Sequence, residues 1–146
     1  MIKENLNEVV LFLIDQTSKM ARQYSQKEFD LLNLEITVEQ WILLKLVDQH
    51  EGKTQGEIAN ISFRDPASIS RTLDILEKKG MIRRGGVKES KKKKIVQLTK
   101  EGKYFILQTM PLIDHMRSKG IKGLSQTEVE SLMNLLLRMQ KNYGFK

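Results

Sequence analysis

The sequence contains no cysteine, two prolines and one tryptophan among its 146 residues. Without cysteine the chain has no disulfide, no thiolate nucleophile, no cysteine-ligated metal and no thiol redox sensor. No apolar run approaches the ~20 residues that a membrane-spanning helix needs, and no signal-peptide pattern opens the sequence. We therefore expect a cytoplasmic protein without a membrane segment.

The residues and motifs of common catalytic sites are also scarce. Only two histidines occur, His50 and His115, and the P-loop, GxGxxG and HExxH motifs are missing. Asp114 lies beside His115, but no second histidine follows one helical turn away, so we expect no metal site. The sequence thus predicts a protein that is not an enzyme and carries no cofactor.

Positive charge is concentrated in one short segment of a chain whose formal net charge is +7. Seven basic residues lie between positions 83 and 94, opposed only by Glu89. They are Arg83, Arg84, Lys88, Lys91, Lys92, Lys93 and Lys94. Such a patch suits a polyanionic partner, although an isolated lysine run is also typical of a solvated loop.

Apolar residues recur at steps of three and four near both ends of the chain, the spacing of one helix face. The N-terminal stripe is Leu6, Val10, Leu13, Thr17, Met20 and Tyr24, and the C-terminal stripe is Val129, Leu132, Leu136, Met139 and Tyr143. Ser125 and Glu128 form a capping-box pattern before the second stripe. Both apolar stripes need a surface that buries them. Burial against a second subunit predicts a homodimer, and packing within a monomer is the alternative.

Three helices are predicted in the middle of the chain, over residues 38–50, 54–61 and 66–79. The predicted N-cap residues are Thr37, Thr54 and Asp65, and Pro66 at the first turn adds a second start signal to the third helix. On that helix, at 100° per residue, Ile69, Leu73 and Leu76 share an inner face, whereas Ala67, Ser68, Arg71 and Asp74 share the outer one.

Two antiparallel strands follow, over residues 81–87 and 95–98, and the basic loop joins them. Thr99 is the predicted cap of a helix over 100–119, which Pro111 should kink or interrupt. The predicted class is mainly α (α+β), a winged helix-turn-helix with a two-stranded β-wing. Within one integrated domain, residues 1–36 and 100–146 supply dimerisation helices and residues 37–99 the DNA-binding region.

This order of elements suits duplex DNA, because an α-helix fits the major groove and only its outer face reaches the base edges. Small or hydrogen-bonding residues at the outer positions permit that approach. The candidates are Pro66, Ala67, Ser68, Ser70 and Arg71. In the wing, Lys88, Lys91, Lys92, Lys93 and Lys94 would contact phosphates, adding affinity without reading sequence.

The segments SISRTLDILEKKGMIRR (68–84) and IVQLTKEGK (95–103) resemble the MarR family of transcriptional regulators. The resemblance covers nearly the whole chain and implies a homodimer on a pseudo-palindromic operator, usually as a repressor. It also implies release from DNA by a small aromatic effector bound between the dimerisation helices and the winged helix. Met20, Tyr24 and Trp41 are the candidate lining residues, and the alternative, which the residue types favour, is that each fills the core.

The wing departs from the family pattern, in which an Asp-Arg pair usually precedes the second strand. Residues 90–94 here read SKKKK. Lysine lacks the planar fork of arginine, so we expect a mobile wing that binds the backbone and reads little sequence. A winged-helix module that binds DNA without sequence preference, or that binds protein, is therefore the alternative function.

Overall fold

The computed structural model describes residues 4–87 and 94–144. Its helices are α1 (Val10–Leu31), α2 (Val38–Gln49), α3 (Gln55–Ser62), α4 (Pro66–Lys78), α5 (Lys100–Gly120) and α6 (Gln126–Asn142), and its strands are β1 (Ile82–Val87) and β2 (Lys94–Leu98). A short 3-10 helix at Leu6–Glu8 precedes α1. The predicted class, a mainly helical winged helix-turn-helix with a two-stranded wing, is confirmed.

The predicted start signals of the central helices are confirmed in their hydrogen bonds. Thr37, Thr54 and Asp65 each accept the backbone N–H of the third helical residue, at 3.1, 3.2 and 2.8 Å. Gln40 completes a capping box by accepting the backbone N–H of Thr37 at 3.0 Å. These caps satisfy amide groups that a helix cannot satisfy itself, and they fix where α2, α3 and α4 begin.

The chain divides into two compact units, residues 1–111 and 112–146. The core of the first unit collects apolar side chains from α2, α3, α4 and both strands. Its fully buried members include Trp41, Leu44, Val47, Ile58, Ile69, Leu73, Leu76, Ile82 and Val96. Burying each such side chain contributes about 1.5–3 kcal/mol. The predicted inner face of α4 is therefore the face that holds this helix in place.

The two strands form an antiparallel hairpin whose pairing runs from Ile82 opposite Leu98 to Gly85 opposite Ile95. The register shifts between Gly85 and Val87, which marks a bulge. Residues 88–93 lie outside the described residues, and with them the predicted wing contacts Lys88, Lys91, Lys92 and Lys93. Lys94 is described, as the exposed first residue of β2.

Thr99 joins the base of the wing to α5. Its hydroxyl donates to the carbonyl of Gly80 at 2.6 Å and accepts the backbone N–H of Gly102 at 3.0 Å, so the predicted cap is confirmed. Its own N–H donates to the carbonyl of Met81 at 3.0 Å. Gly102 lies so close that a Cβ built on it would be 2.1 Å from that carbonyl oxygen. The approach of α5 to this turn therefore requires glycine.

Pro111 was predicted to kink or interrupt this helix, and the interruption does not occur, because α5 continues past it. A proline removes one intrahelical hydrogen bond, here the one to the carbonyl of Leu107. Leu107 is exposed, so water can replace that bond. The hydrogen bonds on either side keep α5 continuous from Lys100 to Gly120.

In the second unit, α6 begins at the predicted capping box. Ser125 accepts the backbone N–H of Glu128 at 3.1 Å, and the Glu128 carboxylate accepts that of Ser125 at 2.9 Å. None of the α6 side chains is fully buried, and several large apolar ones are exposed: Leu132, Met133, Leu135 and Leu137. Among the helices that the structure describes, none is long and apolar enough to cross a membrane.

Candidate nucleic-acid interface

The outer face of α4 is small and polar, as the sequence predicted. Pro66, Ala67 and Arg71 are exposed, and Ser68 and Ser70 are half-buried. The five candidate base-reading residues thus lie on the first two turns of one helix, and none of them is fully buried. Because the buried face of α4 is anchored in the core, this outer face is presented on a rigid support.

Two of these residues differ in how their side chains are engaged. The Ser68 hydroxyl accepts a hydrogen bond from Nη2 of Arg64 at 2.6 Å, and its backbone N–H donates to Asp65 at 2.8 Å. Arg71 has no ion pair or hydrogen bond with any other residue in the described ranges. Its guanidinium is therefore available to donate two parallel hydrogen bonds to a base edge.

Arg84 on β1 is held by three side chains of the helix-turn-helix. It donates to Glu77 from Nη2 at 2.8 Å and from Nε at 3.2 Å, and to Asp74 from Nη2 at 2.5 Å. Nη1 donates to Gln55 at 3.2 Å, and the backbone N–H of Arg84 donates to Glu77 at 3.1 Å. The sequence interpretation counted Arg84 in the basic segment without assigning it a partner, and the structure pairs its charge with Asp74 and Glu77.

The same contacts shift the proton affinity of both partners. Hydrogen bonds from the side chain and the backbone of Arg84 hold the pKa of Glu77 below its ordinary value. In return, the hydrogen bond to Glu77 outweighs burial and raises the pKa of Arg84. Both groups are therefore charged at neutral pH.

Sequence reasoning missed this cluster because it placed Asp74 on the DNA-facing side of α4 without assigning it a partner. A signal was present. Asp74 and Glu77 are three residues apart, so they lie on neighbouring turns of one face. Two carboxylates on a helix expected to approach phosphates require a nearby cation, and the basic strand that follows offers Arg83 and Arg84.

A cleft of about 680 Å³ opens between α3, α4 and the wing. It is lined by Thr54, Gln55, Gly56, Glu57, Asn60, Pro66, Glu77, Arg84 and Lys94. Polar side chains of three elements therefore face one concave surface. Its lining includes Pro66 at the start of α4 and Lys94 at the start of β2, two of the residues that the sequence assigned to DNA.

A second cleft, of about 310 Å³, is lined by Arg22, Glu39, Ile42, Leu43, Leu46, Ser62 and Arg64. Glu39 forms ion pairs with both Arg22 and Arg64. Burial, with the nearby positive charge of Arg64, lowers the pKa of Arg22. Two guanidinium groups share one carboxylate here, which leaves an excess of positive charge in a cleft that is also lined by Ile42, Leu43 and Leu46.

The three sequence-predicted ligand residues do not line this second cleft. Met20 is 69% exposed on α1, and Tyr24 is half-buried one turn further along. Trp41 is 2% exposed, and its indole N–H donates to the hydroxyl of Thr109 at 2.8 Å. Trp41 is therefore a core residue, with its one polar atom satisfied.

Asp114 and His115, the pair weighed as metal ligands, both lie on α5. Across residues 4–87 and 94–144, no three side chains of histidine, aspartate or glutamate come together in a group that could hold a metal ion.

Comparisons with known proteins agree with this fold. The family model described as the MarR family matches residues 36–94. The transcriptional regulator SlyA is 28% identical with a TM-score of 0.81, covering 92% of this chain and 94% of its own. MepR of S. aureus, solved as a DNA complex, is 25% identical with a TM-score of 0.78, covering 92% and 98%.

A MarR mutant from E. coli, solved with operator DNA, has a TM-score of 0.80 over 94% of this chain and 99% of its own. At 24% identity it supports the fold alone. The family model therefore matches residues 36–94, and the likeness in fold to these regulators extends over more than nine-tenths of the chain.

Proposed function

We propose that this protein is a sequence-specific DNA-binding transcriptional regulator that acts as a homodimer on a pseudo-palindromic operator. The observation that carries the proposal is the exposed guanidinium of Arg71 on the outer face of α4, beside the hairpin and within the segment that matches the MarR family. The DNA complex of MepR, which shares this fold, supports the same partner here.

In this proposal, α4 lies in the major groove. Pro66 and Ala67 allow close approach, while Ser68, Ser70 and Arg71 contact base edges. The wing lysines Lys88, Lys91, Lys92, Lys93 and Lys94 contact phosphates beside the groove. The helix then supplies sequence preference and the wing supplies affinity that depends on salt.

The homodimer would form through residues 1–36 and 100–146. On α1 and the turn before it, Leu6, Val10, Leu13 and Met20 are exposed, and on α6 large leucines are exposed. Exposed apolar stripes of this length mark an interaction surface, and a second copy of the chain would remove them from water. Two-fold symmetry then predicts half-sites roughly 10 base pairs apart, one helical turn.

We also propose that a small anionic or aromatic ligand binds in the cleft that contains Arg22, Glu39 and Arg64 and thereby weakens the binding of the protein to DNA. Arg64 bonds Ser68 on α4, so a ligand that draws Arg64 away would change the start of the recognition helix. Such a ligand acts only if it binds the DNA-incompetent arrangement more tightly. The test is release of bound duplex by simple aromatic carboxylates, with Arg64→Ala as the variant that should lose the response.

Selection of bound duplexes from a random pool, repeated at two salt concentrations, tests the main proposal. We expect a two-fold symmetric consensus bound at least about 10³-fold more tightly than random duplex. Equal binding of all sequences would instead establish the sequence-indifferent module, and binding of none would point to a protein-interaction domain.

Arg71→Ala is the matching variant. It should weaken operator binding by about 1–3 kcal/mol and relax preference at one base pair per half-site. Lys78→Ala, at the exposed far end of α4, removes the same charge away from the first two turns and serves as the control. An equal loss on operator and random duplexes would contradict a base-reading role for Arg71.

A further inference from the structure

The helix proposed to face DNA carries two carboxylates, Asp74 and Glu77, and neither is buried. Their side chains are 54% and 39% exposed. Free carboxylates on this helix would repel the phosphates that the wing attracts. DNA binding by α4 therefore needs a group that offsets both charges.

Arg84 is that group, and it reaches both carboxylates from the neighbouring strand. Its side chain is 19% exposed, less than that of either carboxylate. Glu77 accepts from both the guanidinium and the backbone N–H of Arg84. The contact thus fixes the path of β1 against α4 as well as the position of the charge.

We propose that Arg84 is a positioning residue for DNA binding, which locks the first strand of the wing onto α4 and neutralises Asp74 and Glu77 without itself contacting phosphate. This inference rests on the proposed function. A planar guanidinium can hold two carboxylates and an amide at once, which the point charge of lysine cannot.

The adjacent arginine provides a contrast within the same strand. Arg83 is exposed, and its described hydrogen bond is a 3.4 Å contact from Nε to Gln97 on β2. Successive residues of a strand point to opposite faces. Two neighbouring arginines of equal charge therefore act differently, one facing solvent and the other holding the wing to the helix.

The test is a double-mutant cycle on DNA affinity with the full-length protein. Arg84→Gln, Glu77→Gln and their combination are titrated against the duplex selected by the wild type and against a random-sequence duplex. Arg84→Gln should weaken binding to both roughly tenfold, since a charge-assisted contact is lost and two carboxylates are freed. Adding Glu77→Gln should restore part of that loss, whereas Glu77→Gln alone should not improve binding.

Two further variants decide the inference. Arg83→Gln removes the same charge, and its effect should be additive with that of Glu77→Gln. Arg84→Lys keeps the charge without the fork, and it should bind less tightly than wild type but more tightly than Arg84→Gln. Wild-type affinity in Arg84→Gln or Arg84→Lys, or an equal gain from Glu77→Gln in both backgrounds, would overturn the inference.

Thermal unfolding without DNA separates this inference from the proposed function. If Arg84 and Glu77 hold each other, the double variant should lose less in Tm than the sum of the two single losses. Additive losses would show that the contact does not form. A wild type that binds neither duplex at about 50 mM salt would refute the proposed function, and the role of Arg84 in DNA binding with it, even if the Tm losses are coupled.

Discussion

Replacing Gly102 by alanine tests the closest backbone approach at the base of the wing. The added Cβ would be 2.1 Å from the carbonyl oxygen of Met81 and 3.0 Å from its carbonyl carbon. Relief requires the two backbones to separate by about 1 Å, because real Cβ contacts stay beyond roughly 3 Å. The Met81 carbonyl also accepts the N–H of Thr99 at 3.0 Å, so it cannot move without weakening that hydrogen bond.

The expected magnitude combines three effects. Overpacking costs about 1–3 kcal/mol, and the weakened Thr99 hydrogen bond costs about 1 kcal/mol. Replacing glycine by alanine within a helix stabilises the helix by about 1 kcal/mol. The net loss should be about 2 kcal/mol, which corresponds to roughly 4–8 °C in Tm for a chain of this size.

Equilibrium unfolding in urea, followed through the single tryptophan, Trp41, measures the change at a fixed protein concentration. Gly120→Ala in the same helix is the matched control, since nothing lies within 4 Å of its added Cβ. That control should be as stable as wild type or slightly more stable. A Gly102→Ala variant as stable as its control would show that α5 does not approach the wing base so closely.

Three further predictions concern buried polarity, pH and backbone strain. Thr109→Val should cost about 1–3 kcal/mol in urea unfolding, because it removes the hydroxyl that accepts a hydrogen bond from the buried indole N–H of Trp41. An unchanged midpoint would contradict that bond. Arg84 lowers the pKa of Glu77 in the folded protein below its value in the unfolded chain. Their contact therefore stabilises the protein fully at pH values above the unfolded-state pKa, and this stabilisation is lost as the pH falls through the folded-state pKa. Glu77→Gln should therefore flatten the acid limb of the stability curve, and an identical limb would refute the shift. Phe63 ends α3 with φ of 54°, so Phe63→Asn should raise stability by about 1 kcal/mol, and a lowered Tm would argue against strain there.

The local signals were sufficient to predict most of the helix-turn-helix. Capping at Thr37, Thr54 and Asp65 depends on residues three positions apart, and a single sequence displays such pairs directly. The buried face of α4 follows from helical periodicity alone. Short-range geometry of this kind needs no knowledge of which elements pack together.

Long-range pairing was not predictable in the same way. The contact of Arg84 with Glu77 depends on how β1 lies against α4, which no local pattern specifies. The sequence equally allowed Arg83 and Arg84 to face solvent, and only the register of the strand separates them. Pro111 does not interrupt α5, since a helix tolerates one missing hydrogen bond when the lost carbonyl can be hydrated.

The hydroxyl of Thr99 bonds both the turn after α4, at Gly80, and the first turn of α5, at Gly102. An inserted or deleted residue at this end of the hairpin would displace one of those partners. Among related regulators, the spacing from the last strand to the following helix should therefore stay fixed.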